Sequence, residues 1–248
     1  MSTALQPNTA DPPRHDAGIP RTGGATLAKM TNAESTPFPR LDFDALYRGE
    51  SPAEGIPPVK TPLWDTKAPK ETVVHWHQQN LVHGHVLDIG CGLGDNAIYL
   101  AQQGFTVTAL DISPTALITA ERRAQAGGVN VAFAVADATQ LDGYRDAFDT
   151  IIDSGMFHCL NPADKRSYAS AVHRATRAGA TLLLSCFCEA NPTATEHLLP
   201  VVSEHTLRDV LGGAGWDIAS LEPTTARRKQ DGNDIELAFW VIRAQRRG

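Results

Sequence analysis

Val86-Leu87-Asp88-Ile89-Gly90-Cys91-Gly92-Leu93-Gly94-Asp95-Asn96 is the stretch that decides the fold. A short apolar run, Val86–Ile89, reads as a strand; it enters glycines at alternate positions, and a helical pattern begins near Asn96. Glycine turns sharply and lets a ligand approach the backbone with no Cβ in the way. A nicotinamide-dinucleotide fingerprint needs GxGxxG, with a third small residue where the helix packs on the strand. Counted from Gly90, the sixth position is Asp95, so that pattern fails. A P-loop fails too, because no Gly-Lys-Ser/Thr follows.

Outward from this loop the chain alternates. The first helix stops at Gly104, and Phe105–Leu110 reads as the second strand. Ser113 is an N-cap with Pro114 at the first helical position, and that helix runs to Gly127-Gly128. Val131–Val135 and Phe148–Ile152 are the third and fourth strands. Asn161 caps a helix that starts at Pro162 and ends before Gly179. Thr181–Cys186 is a fifth strand, and a helix from about Glu204 to Leu211 ends at Gly212-Gly213. The last strands, Trp216–Leu221 and Ile235–Arg243, have no helix between them and are expected to pair as an antiparallel hairpin at one edge. The expected fold is therefore α/β: a Rossmann-like, seven-stranded, mainly parallel sheet with helices on both faces.

Acidic residues recur where the strands end. Asp88 precedes the glycines, Asp111 ends the second strand, Asp137 follows the third and Asp153 ends the fourth. All share the carboxyl edge of the sheet, where open α/β folds bind ligands. An acid after the second strand suits both hydroxyls of a ribose, and Asp137 is placed to receive the exocyclic amine of an adenine.

The Asp88-to-Asn96 loop, Asp111, Asp137-Ala138 and the Phe148-to-Asp153 strand together resemble a class I S-adenosylmethionine-dependent methyltransferase. The resemblance covers the chain from about Phe43 to its C-terminus. It implies S-adenosylmethionine as cofactor, with S-adenosylhomocysteine as product. It also implies cofactor contacts from Trp64, Asp88, Gly90, Gly92, Gly94, Asn96, Asp111, Ile112, Asp137, Ala138 and Asp153. Tyr47-Arg48-Gly49-Glu50, Thr61-Pro62-Leu63-Trp64-Asp65 and the Asp149-to-Leu160 stretch are similar to the mycobacterial heterocyclic-toxin and thiopurine-methyltransferase-like small-molecule enzymes. That likeness implies a small aromatic acceptor bound by Tyr47, Trp64, Phe157 and His158. The expected reaction is methyl transfer to O or N of a hydroxyquinolone-like heterocycle. A thiol or thiopurine S-methyltransferase and a non-catalytic cofactor-binding sensor are the alternatives. An aromatic face such as Trp64 or Tyr47 suits a sulfonium cation or a flat substrate; Trp64 could equally plug the N-terminal segment onto the sheet. Displacement from a sulfonium mainly requires alignment and desolvation. A general base is needed only for an acceptor that arrives protonated, and His158 and Asp153 are the candidates.

Composition narrows the remaining classes. The chain has 248 residues and a formal net charge of -6, which disfavours grasping nucleic-acid phosphates. No apolar run is long enough to span a bilayer. The four cysteines form no CxxC pair and suggest reduced thiols in a cytoplasmic protein. His75, His77, His83 and His85 suggest a metal, but i,i+2 residues on a helix face apart, so none is expected. Residues 1–36 are rich in Pro, Gly, Ser and Thr and are expected to be a disordered leader, whether a regulatory tail or the result of a start site placed before Met30. A single domain follows over 37–248, with an N-terminal lid at about 41–68 that contains a short helix at Phe43–Tyr47. An amphipathic helix is expected over Thr66–Val82. The acceptor is expected to be chosen by Phe43–Trp64 and by the Phe187–Pro200 and Thr224–Asn233 loops, the last containing Arg227-Arg228-Lys229. The protein is expected to act as a monomer or homodimer, with neither nucleic acid nor membrane as partner.

Overall fold

The computed structural model describes residues 41–191, 200–230 and 233–247. The expected leader, and most of the Phe187–Pro200 segment, lie outside the described residues. The elements run α1 (Phe43–Tyr47), α2 (Glu71–Gln78), β1 (His85–Ile89), α3 (Asp95–Gln102), β2 (Thr106–Asp111), α4 (Pro114–Ala126), β3 (Ala132–Val135), β4 (Phe148–Ser154), α5 (Pro162–Ala175), β5 (Thr176–Phe187), α6 (Glu204–Gly213), β6 (Trp216–Gln230) and β7 (Asn233–Arg246). They build one seven-stranded sheet in the order β3-β2-β1-β4-β5-β7-β6. The first five strands of that order are parallel, and β7 enters antiparallel between β5 and β6. The hairpin is therefore the expected one, with β6 at the edge.

Two apolar layers sandwich the sheet. Leu87, Ile89, Ile151, Leu182 and Leu184 face α5 and α6 through Tyr168, Val172, Leu207 and Leu211. Val86, Ile152 and Leu183 face α2 and α3 through Val73, Trp76, Ala97 and Leu100. Alternate residues of one strand thus feed opposite cores, which is why β1, β4 and β5 read as nearly continuous apolar runs. Ser113 and Asn161 cap α4 and α5 with their side chains, each followed by a proline at the start of its helix. None of the described helices is long and apolar enough to cross a membrane.

Several boundaries differ from the sequence expectation. The helix expected over Thr66–Val82 is only Glu71–Gln78. Lys67 at φ 55° and Asn80 at φ 57° are left-handed, and helical backbone cannot pass through them. The helix expected to stop at Gly212-Gly213 includes both glycines, and the chain turns at Gly215, φ 94°. The strand expected from Thr181 begins at Thr176, with a register shift against β4 between Phe148 and Thr150.

The largest correction concerns the Thr224–Asn233 loop. Most of it is strand, paired from Thr224↔Phe239 to Gln230↔Asn233. Arg227-Arg228-Lys229 lies on β6, where Arg227 stands opposite Glu236. Polar residues here read as a loop because they carry no apolar alternation; the backbone ladder between β6 and β7 keeps the segment extended. Since β5 pairs with β7 only as far as Phe187↔Phe239, this ladder extends past the carboxyl end of β5.

Candidate functional site

The glycine turn after β1 is tied to β2. The amides of Gly90 and Cys91 both donate to the Leu110 carbonyl, at 2.8 and 3.0 Å. Gly92 N–H donates to Asp111 Oδ2 at 2.7 Å, and Ser113 N–H donates to Oδ1 at 2.9 Å. Gly90 and Gly92 both have positive φ, 68° and 53°. A Cβ on Gly90 would lie 2.5 Å from Met156 Cγ, and one on Gly92 2.6 Å from the Tyr47 hydroxyl. These two positions therefore need glycine for conformation and for space. Burial raises the pKa of Asp111, against the amides that favour its charge.

Asp88 is 1% exposed, on the face of β1 that it shares with Val86. Its Oδ2 has no hydrogen-bond partner. Burial raises its pKa to about 7; the nearby Asp153 and Asp111 add to the rise, and the Ala97 amide opposes it. A sealed carboxylate oxygen without a donor is costly, and a cation beside it would relieve the cost.

Beyond β2 and β3 the edge changes character. Ile112 and Val135 are more than half exposed although both are large and apolar. Asp137 is exposed and accepts from Thr139 N–H and Oγ1 and from Gln140 Nε2, so that it caps the turn holding Ala138. Together these residues form an apolar, acid-rimmed border outside the strand ends.

The N-terminal segment folds back over the glycine turn. Trp64 Nε1 donates to the Tyr47 hydroxyl at 2.8 Å, and the two rings meet edge-on. Burial raises the pKa of Tyr47, and nearby Asp111 adds to the rise, so it remains a neutral phenol. Three polar ties hold this segment down. Asp44 accepts from Ser113 Oγ at 2.6 Å and Thr115 N–H at 3.0 Å at the start of α4. Arg123 bridges Asp65 and Asp95, each at 2.9 Å. Asn96 Oδ1 accepts from Lys70 N–H at 2.9 Å, and Lys70 Nζ donates to the Trp64 carbonyl. Asn96, expected at the cofactor, thus spends its carbonyl oxygen on the start of α2.

The turn after β4 corrects two expectations and alters a third. Asp153 is fully buried, and its oxygens accept from Met156 N–H and Phe157 N–H at 2.9 and 3.1 Å. It folds the turn, and its burial and amide donors set it back from the surface where a base for an incoming acceptor is expected. Burial raises its pKa to about 6, against the amide hydrogen bonds. Phe157 is also fully buried, edge-on to Tyr168 in the α5 core, and is not placed to touch a substrate. His158 accepts from Phe187 N–H through Nδ1 at 3.2 Å, so its neutral ring carries the proton on Nε2. Burial, with Lys165 nearby, lowers its pKa to about 3. The ring is a neutral donor and has no free lone pair with which to act as a base.

The comparisons with known proteins agree with this geometry. Residues 86–179 match a methyltransferase-domain family. The chain is 31% identical over 221 residues to 2-heptyl-1-hydroxyquinolin-4(1H)-one methyltransferase of Mycobacteroides abscessus, covering 82% of this chain and 96% of that one. The chain belongs to the class I S-adenosylmethionine-dependent methyltransferases. A solved structure titled for the conversion of a disulfide bond into a thioacetal group during echinomycin biosynthesis superposes on this methyltransferase with TM-score 0.72. It is 36% identical, over 83% of this chain and 91% of that one. A Burkholderia thailandensis 1,6-didemethyltoxoflavin-N1-methyltransferase, solved with its substrate and S-adenosylhomocysteine, shares the fold at TM-score 0.58 and 23% identity, over 75% of this chain and 81% of that one.

S-adenosylmethionine is the cofactor of this methyltransferase, and the residues present fit it. The unpartnered Asp88 oxygen suits its cationic end, the glycine turn leaves room for it, and Ile112 and Val135 offer apolar surface to its base. Sequence reasoning missed Asp44, Arg123, Asp65, Lys70 and Val135. Val135 was within reach, since a valine closing a strand beside Ala136-Asp137 falls at the ligand-binding edge. The others are ordinary surface residue types, and only their long-range partners mark them.

Proposed function

We propose that this methyltransferase moves the methyl group of S-adenosylmethionine to an oxygen or nitrogen of a small aromatic heterocycle of the hydroxyquinolone type. The similarity to the hydroxyquinolone methyltransferase over 96% of that protein carries the reading, because at 82% of this chain it reaches well beyond the cofactor half. The cofactor supplies a methyl group already activated on a cationic sulfur. Gly90, Gly92 and Gly94 lie under its methionine and ribose; Asp111 accepts from the ribose hydroxyls. Asp137 and Ala138 read the adenine amine and ring edge, between the apolar surfaces of Ile112 and Val135. Asp88 neutralises the cationic end, and Tyr47 and Trp64 close over it. The protein's share of the rate is then alignment and exclusion of water.

A second reading, S-methylation of a thiol, draws on the 36% identity to the structure titled for disulfide-to-thioacetal conversion. The test is transfer from labelled S-adenosylmethionine to hydroxyquinolones, hydroxyphenazines, phenols, aromatic thiols and thiopurines, with cofactor affinity measured by calorimetry. Label on a hydroxy-heterocycle supports the first reading, and label on thiols alone promotes the second. Tight binding with no product on any acceptor refutes both and points to a sensor. Asp111→Ala is expected to weaken cofactor binding about tenfold or more, since a hydrogen bond to a charged group contributes about 1.5–3 kcal/mol. Unchanged affinity would refute the ribose assignment.

A further inference from the structure

Three rings stand in a row at the carboxyl edge. His158 lies 4.4 Å from Phe187, centroid to centroid, and Phe187 lies 4.9 Å from Phe239, each pair tilted by 30°. The row crosses from the turn after β4, over the end of β5, to β7, where Phe239 is the direct partner of Phe187. It lies on the side of the sheet that carries Asp88. Phe187 and Leu183 are four residues apart on β5, and Leu183 and Asp88 both register with Ile152 of β4. Strands lie about 4.8 Å apart, so β5 stands roughly 10 Å from the glycine turn, within reach of a methyl group held above β1 and β4. Phe187 and Phe239 keep part of their surface open, although the neighbouring Cys186, Cys188 and Trp240 are buried. Gly155 approaches the His158 ring so closely that a Cβ would sit 3.4 Å from Cε1. His158 Nδ1 is occupied by Phe187 N–H, which leaves Nε2–H as the ring's remaining donor. That atom makes no hydrogen bond to a described residue, and the residue as a whole keeps 8% of its surface exposed.

The geometry points to this row as the seat of the acceptor. A planar aromatic acceptor packs against Phe187 and Phe239 and arrives already ionised, its oxyanion accepting from His158 Nε2–H. The protein therefore selects acidic hydroxy-heterocycles, and none of the described residues of this row acts as a general base. This rests on the methyltransferase reading above and adds the acceptor's charge state and contacts. The step balances without a proton transfer: the acceptor oxygen attacks the methyl carbon, a C–O bond forms as the C–S bond breaks, and neutral S-adenosylhomocysteine leaves. Phe187 and Phe239 supply apolar stacking surface, and the imidazole holds the attacking oxygen in line.

The test is the pH profile of kcat/KM for the acceptor, taken with S-adenosylmethionine held saturating at every pH so that Asp88 adds no limb of its own, for the full-length protein with two hydroxyquinolones of different acidity, alongside Phe187→Leu and Phe239→Leu. The acid limb is expected to move with the acceptor's own pKa, with no limb belonging to the protein. Each leucine variant is expected to raise the acceptor KM about three- to tenfold, with kcat and calorimetric cofactor affinity nearly unchanged, as loss of an aromatic pair would predict. A limb fixed at one pH for both acceptors would reveal a base in the protein and overturn the proposal. Unaltered KM in both variants would overturn the seat while leaving methyl transfer standing. Wild-type protein that binds cofactor but transfers to neither hydroxyquinolone would sink the underlying reading together with the seat.

Discussion

Asp88 concentrates the physics of the site in one side chain. Its carboxyl is sealed in the sheet, so burial holds its pKa up at about 7, and one oxygen finds no donor. A cationic ligand prefers the ionised form. Below about pH 7 that preference must first expel a proton, so cofactor affinity is expected to rise with pH through about 7 and then level off. The loss on the acid side approaches tenfold per pH unit. Calorimetry between about pH 5.5 and 8.5, in buffers of different ionisation enthalpy, should record proton release on binding. Asp88→Asn should weaken binding and flatten the profile. A wild-type affinity that does not change with pH would remove Asp88 from the cationic end. Asp153, only five residues from His158 and equally buried, is different because three backbone contacts already satisfy it.

At the scale of elements, the lid is held by ties that no local pattern announces. Asp44, in α1, takes two hydrogen bonds at the start of α4; Arg123, on α4, holds Asp65 and Asp95 together. Arg123 and its two partners are 23%, 10% and 18% exposed at the side chain, so the bridge is better shielded than an ordinary surface pair. Arg123→Met keeps much of the apolar stem and removes the charge, leaving two carboxylates with no cation between them. Amide exchange across residues 51–66 is expected to quicken, with cofactor affinity falling about three- to tenfold and the sheet's protection unchanged, because the bridge holds the lid and not the sheet. Exchange at the wild-type rate would show that the aromatic contact between Tyr47 and Trp64 suffices without the bridge.

For the whole molecule, stability is expected to reside in the two layers around the sheet, whose described members lie between Val73 and Ala244. Residues 1–36 contain few large apolar side chains, so deleting them is expected to leave the thermal midpoint and the cofactor affinity unaltered. Differential scanning calorimetry of the shortened chain checks this, and a fall of more than about 5 °C, equivalent to about 1–3 kcal/mol for a domain of this size, would contradict it. The same view of the molecule gives the hairpin its importance. Inserting β7 between β5 and β6 brings Phe239 beside Phe187, and so joins the far edge of the sheet to the turn after β4.

The sequence alone determined what short-range chemistry dictates. Glycines at alternate positions after an apolar run, Ser113-Pro114 and Asn161-Pro162 at helix starts, and acids closing successive strands each act within a few residues. Those rules located the β/α alternation, the antiparallel hairpin and the cofactor edge. Helix and strand limits were less legible, because the left-handed backbone at Lys67 and Asn80 and the ladder in the polar half of the hairpin leave no apolar period in the sequence. Tertiary structure alone decided burial and partnership. Asp153 and Phe157 sit beside His158 in sequence, yet the turn after β4 sends both into the core, while the β5 backbone takes one nitrogen of the His158 ring. The physical reason is that a side chain's charge state, tautomer and access depend on the desolvation and hydrogen bonds it meets in space, and those come from residues up to 100 positions away.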